Sequence, residues 1–221
     1  MKNFAIILII LAGIGGFVFL NKKSNVDSNM ADEMLGASGE INTSLDGARD
    51  FDIGKSTANW TGSKKIITDW VDRGELNIKS GFATFDKGIL TGGEIVFDMT
   101  SIKAKTTGKG DGEDRLSEHL KSEDFFDVAN FPEAKFLVKS SAKESDGTYI
   151  LTGDLTIKDI TNSISFPVNL LSEGDLGMIE GSVSIDRTLW NVKFGSDKFF
   201  QDLGDNVIND EFNLDFTVIT K

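Results

Sequence analysis

The sequence predicts an all-β domain, a barrel or sandwich of eight or more short antiparallel strands interrupted by one short helix. Three observations carry this. Beyond Phe51 the 221-residue chain breaks into short segments of alternating apolar and polar residues, the period of a strand with one buried face. Glycine, aspartate and asparagine punctuate those segments at roughly even spacing, as turns do. One stretch alone, "DGEDRLSEHLKSEDFFD" at 111–127, lacks the two-residue period and has helix-favouring composition.

The elements follow in order. "TANWTG", "GELNIKS" and "GFATFDKG" are the first strand candidates. In "GGEIVFDMTS", Ile95, Phe97 and Met99 share one face while Glu94 and Asp98 point the other way. The helix comes next, with Asp111 or Asp114 placed to cap it and Leu116 and Leu120 four apart on one face. A single helical excursion in a β domain serves most simply as a lid or plug across one mouth. Then come "AKFLVKS", a row of Tyr149, Leu151, Leu155 and Ile157, and a row of Ile164, Phe166, Val168 and Leu170. Ile179, Val183 and Ile185 form the next row, and Phe212, Leu214, Phe216 and Val218 the last. Each strand gives one apolar row to a shared interior.

Upstream, "MKNFAIILIILAGIGGFVFLNKK" is apolar or glycine from Phe4 to Leu20, a length between a signal-peptide core and a membrane-spanning helix. Residues 1–23 read as a signal anchor or signal peptide, residues 24–50 as a flexible linker rich in Ser, Asn, Asp and Gly, and residues 51–221 as the barrel domain. Either fate of the leader exports the domain to the cell envelope, membrane-anchored or free in the periplasm or outside.

Composition removes several functions. A net charge of −12 without a basic stripe repels a phosphate backbone, so nucleic acid is not an expected partner. The absence of cysteine excludes disulfides, thiol nucleophiles and Cys-ligated zinc. Seventeen Phe against one Tyr and three Trp supply apolar area with few hydroxyls. That excess suits either a dry, filled core or the lining for an apolar ligand, and eight strands are compatible with both.

The polar motifs read as structural. His119, the one histidine, has Glu118, Glu123 and Asp124 nearby and Ser117 and Ser122 close by, yet no G-x-S-x-G elbow holds a nucleophile. A structural or rim role is expected. "DGEDRLSE" lacks the spacing of a calcium loop and "TTGKGDGE" the Walker order. No metal or cofactor is expected. The sequons at Asn42 and Asn59 matter only in a host that glycosylates exported chains.

Five segments in order, "STANWTGSKK", "LTGGEIVFDMTSI", "HLKSEDFFDVANFPEAKF", "GDLTIKDITNSISFPV" and "SIDRTLWNVKF", resemble the YceI-like family of polyisoprenoid-binding, lipocalin-like barrels. The resemblance implies an extended, eight-stranded antiparallel barrel with one helical lid around an apolar tunnel. It further implies a long isoprenoid, quinone-like or other lipid chain as ligand, no catalytic residues, and homodimers among members. The tunnel would be lined by Ile95, Phe97, Phe136, Val138, Leu151, Phe166, Val168, Val183, Phe212, Leu214 and Phe216. Phe125 and Phe126 would close over the chain as a flap, with Trp60, Tyr149 and His119 available to a head group. Two departures stand out: Trp70 and Asp72 occupy the region where related sequences carry histidine-threonine-glycine, and Asp159 stands where a turn glycine is common.

The expected function is non-catalytic binding, storage or transport of a long apolar lipid. Two alternatives remain: a structural or protein-interaction barrel with a filled core, and a lipid-modifying enzyme using His119.

Overall fold

The computed structural model of the protein describes residues 45–173 and 175–221. The expected anchor, most of the linker and the Asn42 sequon lie outside the described residues. The strands are β1 (Gly47–Asp50), β2 (Thr57–Ser63), β3 (Val71–Asp86), β4 (Ile89–Thr106), β5 (Glu133–Lys143), β6 (Tyr149–Ile157), β7 (Ile160–Glu173), β8 (Leu176–Asp186) and β9 (Glu211–Ile219). Helix α1 (Glu113–Lys121) separates β4 from β5, and two 3-10 turns, Arg187–Trp190 and Gly204–Asn206, lie between β8 and β9.

The hydrogen-bonded order β3-β2-β9-β8-β7-β6-β5-β4, with β4 returning to β3, closes an eight-stranded antiparallel barrel. The barrel, of the two architectures open from alternation, is the one formed. Short β1 adds to the edge of β3 that β2 uses elsewhere: β2 pairs with Val71–Glu75 and β1 with Phe82–Phe85.

Alternation explains most strands directly. Along β6, Tyr149, Leu151, Gly153, Leu155 and Ile157 are buried and every residue between them is only partly so. Strand β3 corrects the sequence reading. "GELNIKS" and "GFATFDKG" are one continuous strand, with irregular register between Ile78 and Ser80. Leu76 and Ile78 are buried before that point, Ala83 and Phe85 after it. An irregular step that shifts the count by one exchanges the faces of a strand, and here it keeps the interior apolar over sixteen residues.

Helix α1 is capped otherwise than expected. Its N-cap is Gly112, at φ 89°, with no side-chain cap, while Glu113 and Asp114 sit in the first turn, where carboxylates complement the positive helix end. Ser117 fastens the helix to the barrel: its buried Oγ donates to Glu113 O (2.7 Å) and accepts from Ala104 N of β4 (2.9 Å). Leu120 is buried beside it and Leu116 packs partly against the core.

The barrel therefore has two distinct ends. Helix α1, the β6–β7 turn and the loop between β8 and β9 gather at one, the plug end. At the other, the hairpin end, lie the β3–β4 and β5–β6 connections and the start of β1.

Candidate functional site

The inward rows meet around a cavity of ≈ 60 Å³, and every lining residue but Glu94 is apolar. It runs from Leu155 and Ile185, beside the plug-side ends of β6 and β8, to Ala83, Leu90, Ile179 and Val218 near the hairpin end. Three rings divide it: Phe166 lies 5.3 Å from Phe136 and 5.9 Å from Phe216, centroid to centroid. Two of those rings rest on glycine. A Cβ built on Gly153 would stand 2.5 Å from the Phe136 ring, and one on Gly181 2.6 Å from that of Phe216. Any side chain at those positions would push a ring into the cavity.

Of the fifteen positions assigned from sequence to ligand contact, Ile95, Phe97, Phe136, Val138, Leu151, Phe166, Val183, Leu214 and Phe216 line the cavity. The remaining six are at the barrel's ends. Trp60, Phe125, Phe126 and Phe212 belong to the plug end, where Phe126 and Phe212 meet edge to face at 6.5 Å. Tyr149 and Val168 are cross-strand partners near the hairpin end, 3 % and 2 % exposed. Phe51, Ala83, Leu90, Leu155, Ile164, Ile179, Ile185 and Val218 line the cavity as well. Five of these belong to the alternating rows and carried that signal already; Phe51, Ala83 and Leu90 lie beyond the irregular step or outside a strand row.

The plug end is built to stay shut. Phe125 and Phe126 are 5 % and 8 % exposed, in a turn whose amides return to the helix: Phe125 N and Asp127 N donate to Ser122 O, Phe126 N to Leu120 O, and Val128 N to Lys121 O. Lys158 Nζ of the β6–β7 turn donates to Phe125 O (2.9 Å). The expected flap is thus a bonded plug, set apart from the cavity. Trp190, 1 % exposed, donates its Nε1–H to Leu155 O (3.0 Å). Trp60 pairs across strands with Gly74 and Leu214, and its buried Nε1–H has no partner.

A charge knot, buried at Arg187 and exposed at Lys198, completes this end. Arg187, 4 % exposed, donates to Val192 O (2.7 Å), Asn209 O (3.1 Å) and Ile208 O (3.4 Å), with Asp210 3.8 Å away. Burial lowers the guanidinium below its ordinary value while Asp210 and Asp186 pull it back, and an arginine stays charged. Lys198 Nζ bridges Asp186 (2.9 Å) and Asp210 (3.0 Å). Burial pushes both carboxyls up, but donors overcome it, Thr188 and Lys198 at Asp186 and Ser196 and Lys198 at Asp210, so both titrate below the ordinary range. The departure at Trp70 and Asp72 serves the same end: Asp72 Oδ1 accepts from Gly108 N (2.8 Å), and Lys64 Nζ lies over the Trp70 ring (4.4 Å).

His119 lies on the plug. Its Nε2 is 3.4 Å from Asp124 Oδ2, and its ring is held edge-on between Phe125 (4.9 Å) and Phe194 (4.7 Å). It does not line the cavity. A larger cleft of ≈ 440 Å³ between α1 and strands β3–β4 is polar and carries both signs of charge, which suits water better than an apolar chain.

A closed antiparallel barrel around an apolar interior cavity defines the lipocalin-like barrel class of fold. The sequence narrows this further: the model of the YceI-like domain matches residues 50–219, and the chain belongs to that family. Among curated proteins it is similar to a UPF0312 protein of Shewanella denitrificans, 28 % identical over 101 residues that cover 46 % of this chain and 50 % of the relative. It is also similar to Protein YceI of Escherichia coli, 32 % identical over 78 residues, covering 35 % and 40 %. The matched part spans half or less of these relatives' length. Among solved structures, BcnA of Burkholderia cenocepacia has TM-score 0.62 at 21 % identity, covering 77 % of this chain and 99 % of BcnA. A polyisoprenoid binding domain from Saccharophagus degradans has TM-score 0.58 at 15 % identity, covering 78 % and 97 %.

Proposed function

We propose that the barrel binds, stores or carries a long apolar lipid of the polyisoprenoid class in its interior, without chemistry of its own. The observation that carries this is the cavity, lined by apolar residues from six or more strands with Glu94 the one exception. Affinity for such a chain needs no positioned polar groups, because each buried CH2 is worth about 0.8 kcal/mol. The structural relative from Saccharophagus degradans, described as a polyisoprenoid binding domain, supports the same ligand class. The apolar run from Phe4 to Leu20 supports an exported, envelope location.

Size sets the condition. Ligand pockets commonly measure about 300–1,000 Å³, and this cavity is ≈ 60 Å³. Loading therefore requires Phe136, Phe166 and Phe216 to turn aside and the strands to part slightly. The same small volume is what a filled structural barrel has, so that second reading rests on a specific observation too. Extraction and mass spectrometry of residues 45–221 purified without detergent separate them. A stoichiometric polyprenyl or quinone species supports binding; lipid-free protein that also takes up no added isoprenoid leaves the structural barrel. Conversion of an isoprenoid that disappears in His119→Ala would replace both with an enzyme.

A further inference from the structure

The cavity reaches the hairpin end, and the closure there differs from the plug. Its last inward cross-strand pair is Ile179 with Val218. The next inward residues on those strands are Gly177 and Thr220, joined by Gly177 N to Thr220 Oγ1 (2.8 Å) and Thr220 N to Gly177 O (2.8 Å). On this pair sits Leu45, 2 % exposed, with its Cδ1 3.1 Å from where a Cβ on Gly177 would be. A leucine on the strap leading into β1 is thus the stopper one row above the cavity.

The strap is lightly held at Leu45 and firmly at its other end. Gly88 N donates to Leu45 O (2.8 Å), Lys87 N approaches Asp46 Oδ1 (3.4 Å), and β1 then makes four residue pairs with β3 before Lys221 N to Asp50 O (2.8 Å), Phe51 N to Gly81 O (3.0 Å) and the Phe51–Thr220 bridge anchor it. Those pairs end at Phe82, a cavity-lining residue that is 39 % exposed. No charged knot, helix or tryptophan bond reinforces this closure, in contrast to the plug. Opening the plug means unmaking the Arg187 and Lys158 bonds; lifting the Leu45 end of the strap exposes one leucine and unpairs a short strand that stays hinged at Asp50 and Phe51.

We infer that the ligand passes in and out of the barrel at the hairpin end, beneath the Leu45–Asp50 strap, with Leu45 as its gate. This rests on the lipid-binding reading and adds the route. The chain upstream, which includes the apolar run from Phe4 to Leu20, joins the domain at this strap. A membrane-held N-terminus would therefore tether this end of the barrel within reach of its lipid source.

The test follows transfer of a dansyl-labelled geranylgeraniol between phosphatidylcholine vesicles and the full chain. Leu45→Ala should speed both uptake and release about tenfold, since it removes most of the apolar area that seats the gate. The chain has no cysteine, so a disulfide joining Ala48→Cys to Thr84→Cys, direct cross-strand partners on β1 and β3, reports cleanly. Oxidised, it should slow both rates at least about tenfold, and dithiothreitol should restore them. The crosslinked variant keeps Leu45, so it decides the matter even where Leu45→Ala folds poorly. Uptake with rates indifferent to both changes overturns the route alone. A parent protein that takes up no probe overturns the binding reading, and the route with it.

Discussion

At the plug end, Arg187 donates to three backbone carbonyls, Lys198 joins two carboxylates, and the Phe125–Phe126 turn is bonded both to α1 and to Lys158. At the hairpin end, one leucine rests on a glycine and a threonine beneath a four-residue strand. The barrel wall between them is continuous, so the difference is one of closure, not of fold. A directional, charge-assisted network opens only by breaking many bonds together, whereas an apolar contact opens in proportion to the area exposed. A container for an apolar molecule needs one end of each kind: a fixed floor that keeps the strands in register, and a closure cheap enough to lift.

Equal truncations at the two levels test this most strongly. Phe126→Ala, in the bonded plug, should cost about 4–5 kcal/mol, the upper part of the range for a packed phenylalanine. Phe166→Ala, whose ring already borders the cavity, loses fewer contacts and should cost about 3 kcal/mol or less, while loading isoprenoid more readily. Urea unfolding of both, with and without ligand, checks the pair; equal losses would mean that the interior is as tightly packed as the plug.

Asp210→Asn comes next. It leaves Arg187 with its carbonyls but removes the facing carboxylate, at a cost of about 3 kcal/mol, the low side for breaking a buried pair. The sign of the pH effect follows from the lowered values of Asp186 and Asp210. Their contribution is present above the ordinary aspartate value of 3.8 and is lost as pH falls through the lower folded values. Urea midpoints measured from pH 6 to pH 2 should fall steeply in the parent and less steeply in Asp210→Asn. Gly181→Ala should cost less, about 1–2 kcal/mol, because the new methyl displaces the Phe216 ring. That ring lines the cavity, so isoprenoid uptake should fall together with stability in the same titrations.

How much of this was written legibly in the chain depends on direction. Alternation in "TYILTGDLTIK" or "NSISFPVNLL" tells which residues point inward, and those rows are the barrel interior. It carries no information on height along the axis. Trp60, Phe126, Tyr149 and Phe212 share the inward parity of Phe136 and Leu214 or the apolar character of the lining, yet close the ends. The irregular step in β3 was hidden for a related reason: the break at "KSGF" looks like a turn in a binary pattern, and only cross-strand pairing shows that the strand continues. Arg187 and Asp210 stand 23 residues apart, on either side of a loop without period. An arginine just before the apolar "TLWNV" was the one available hint of a buried charge.

The smallest effect separates the plug's bonds from the turn that delivers them. Lys158 and Asp159 form a two-residue turn with both φ positive, 50° and 58°, the type I′ geometry that favours glycine. A left-handed conformation costs an ordinary L-residue about 1 kcal/mol. Asp159→Gly relieves that strain and touches no bond of the plug, so it should stabilise the domain by about 0.5–1 kcal/mol. Lys158→Gly relieves the same strain but deletes the donor to Phe125 O, a charge-assisted bond worth about 1.5 kcal/mol. Its net effect on the thermal midpoint should be a small decrease. Equal stabilisation by the two glycines would show that Lys158 contributes nothing to holding the plug, and the floor of the barrel would then rest on Arg187 and the helix turn alone.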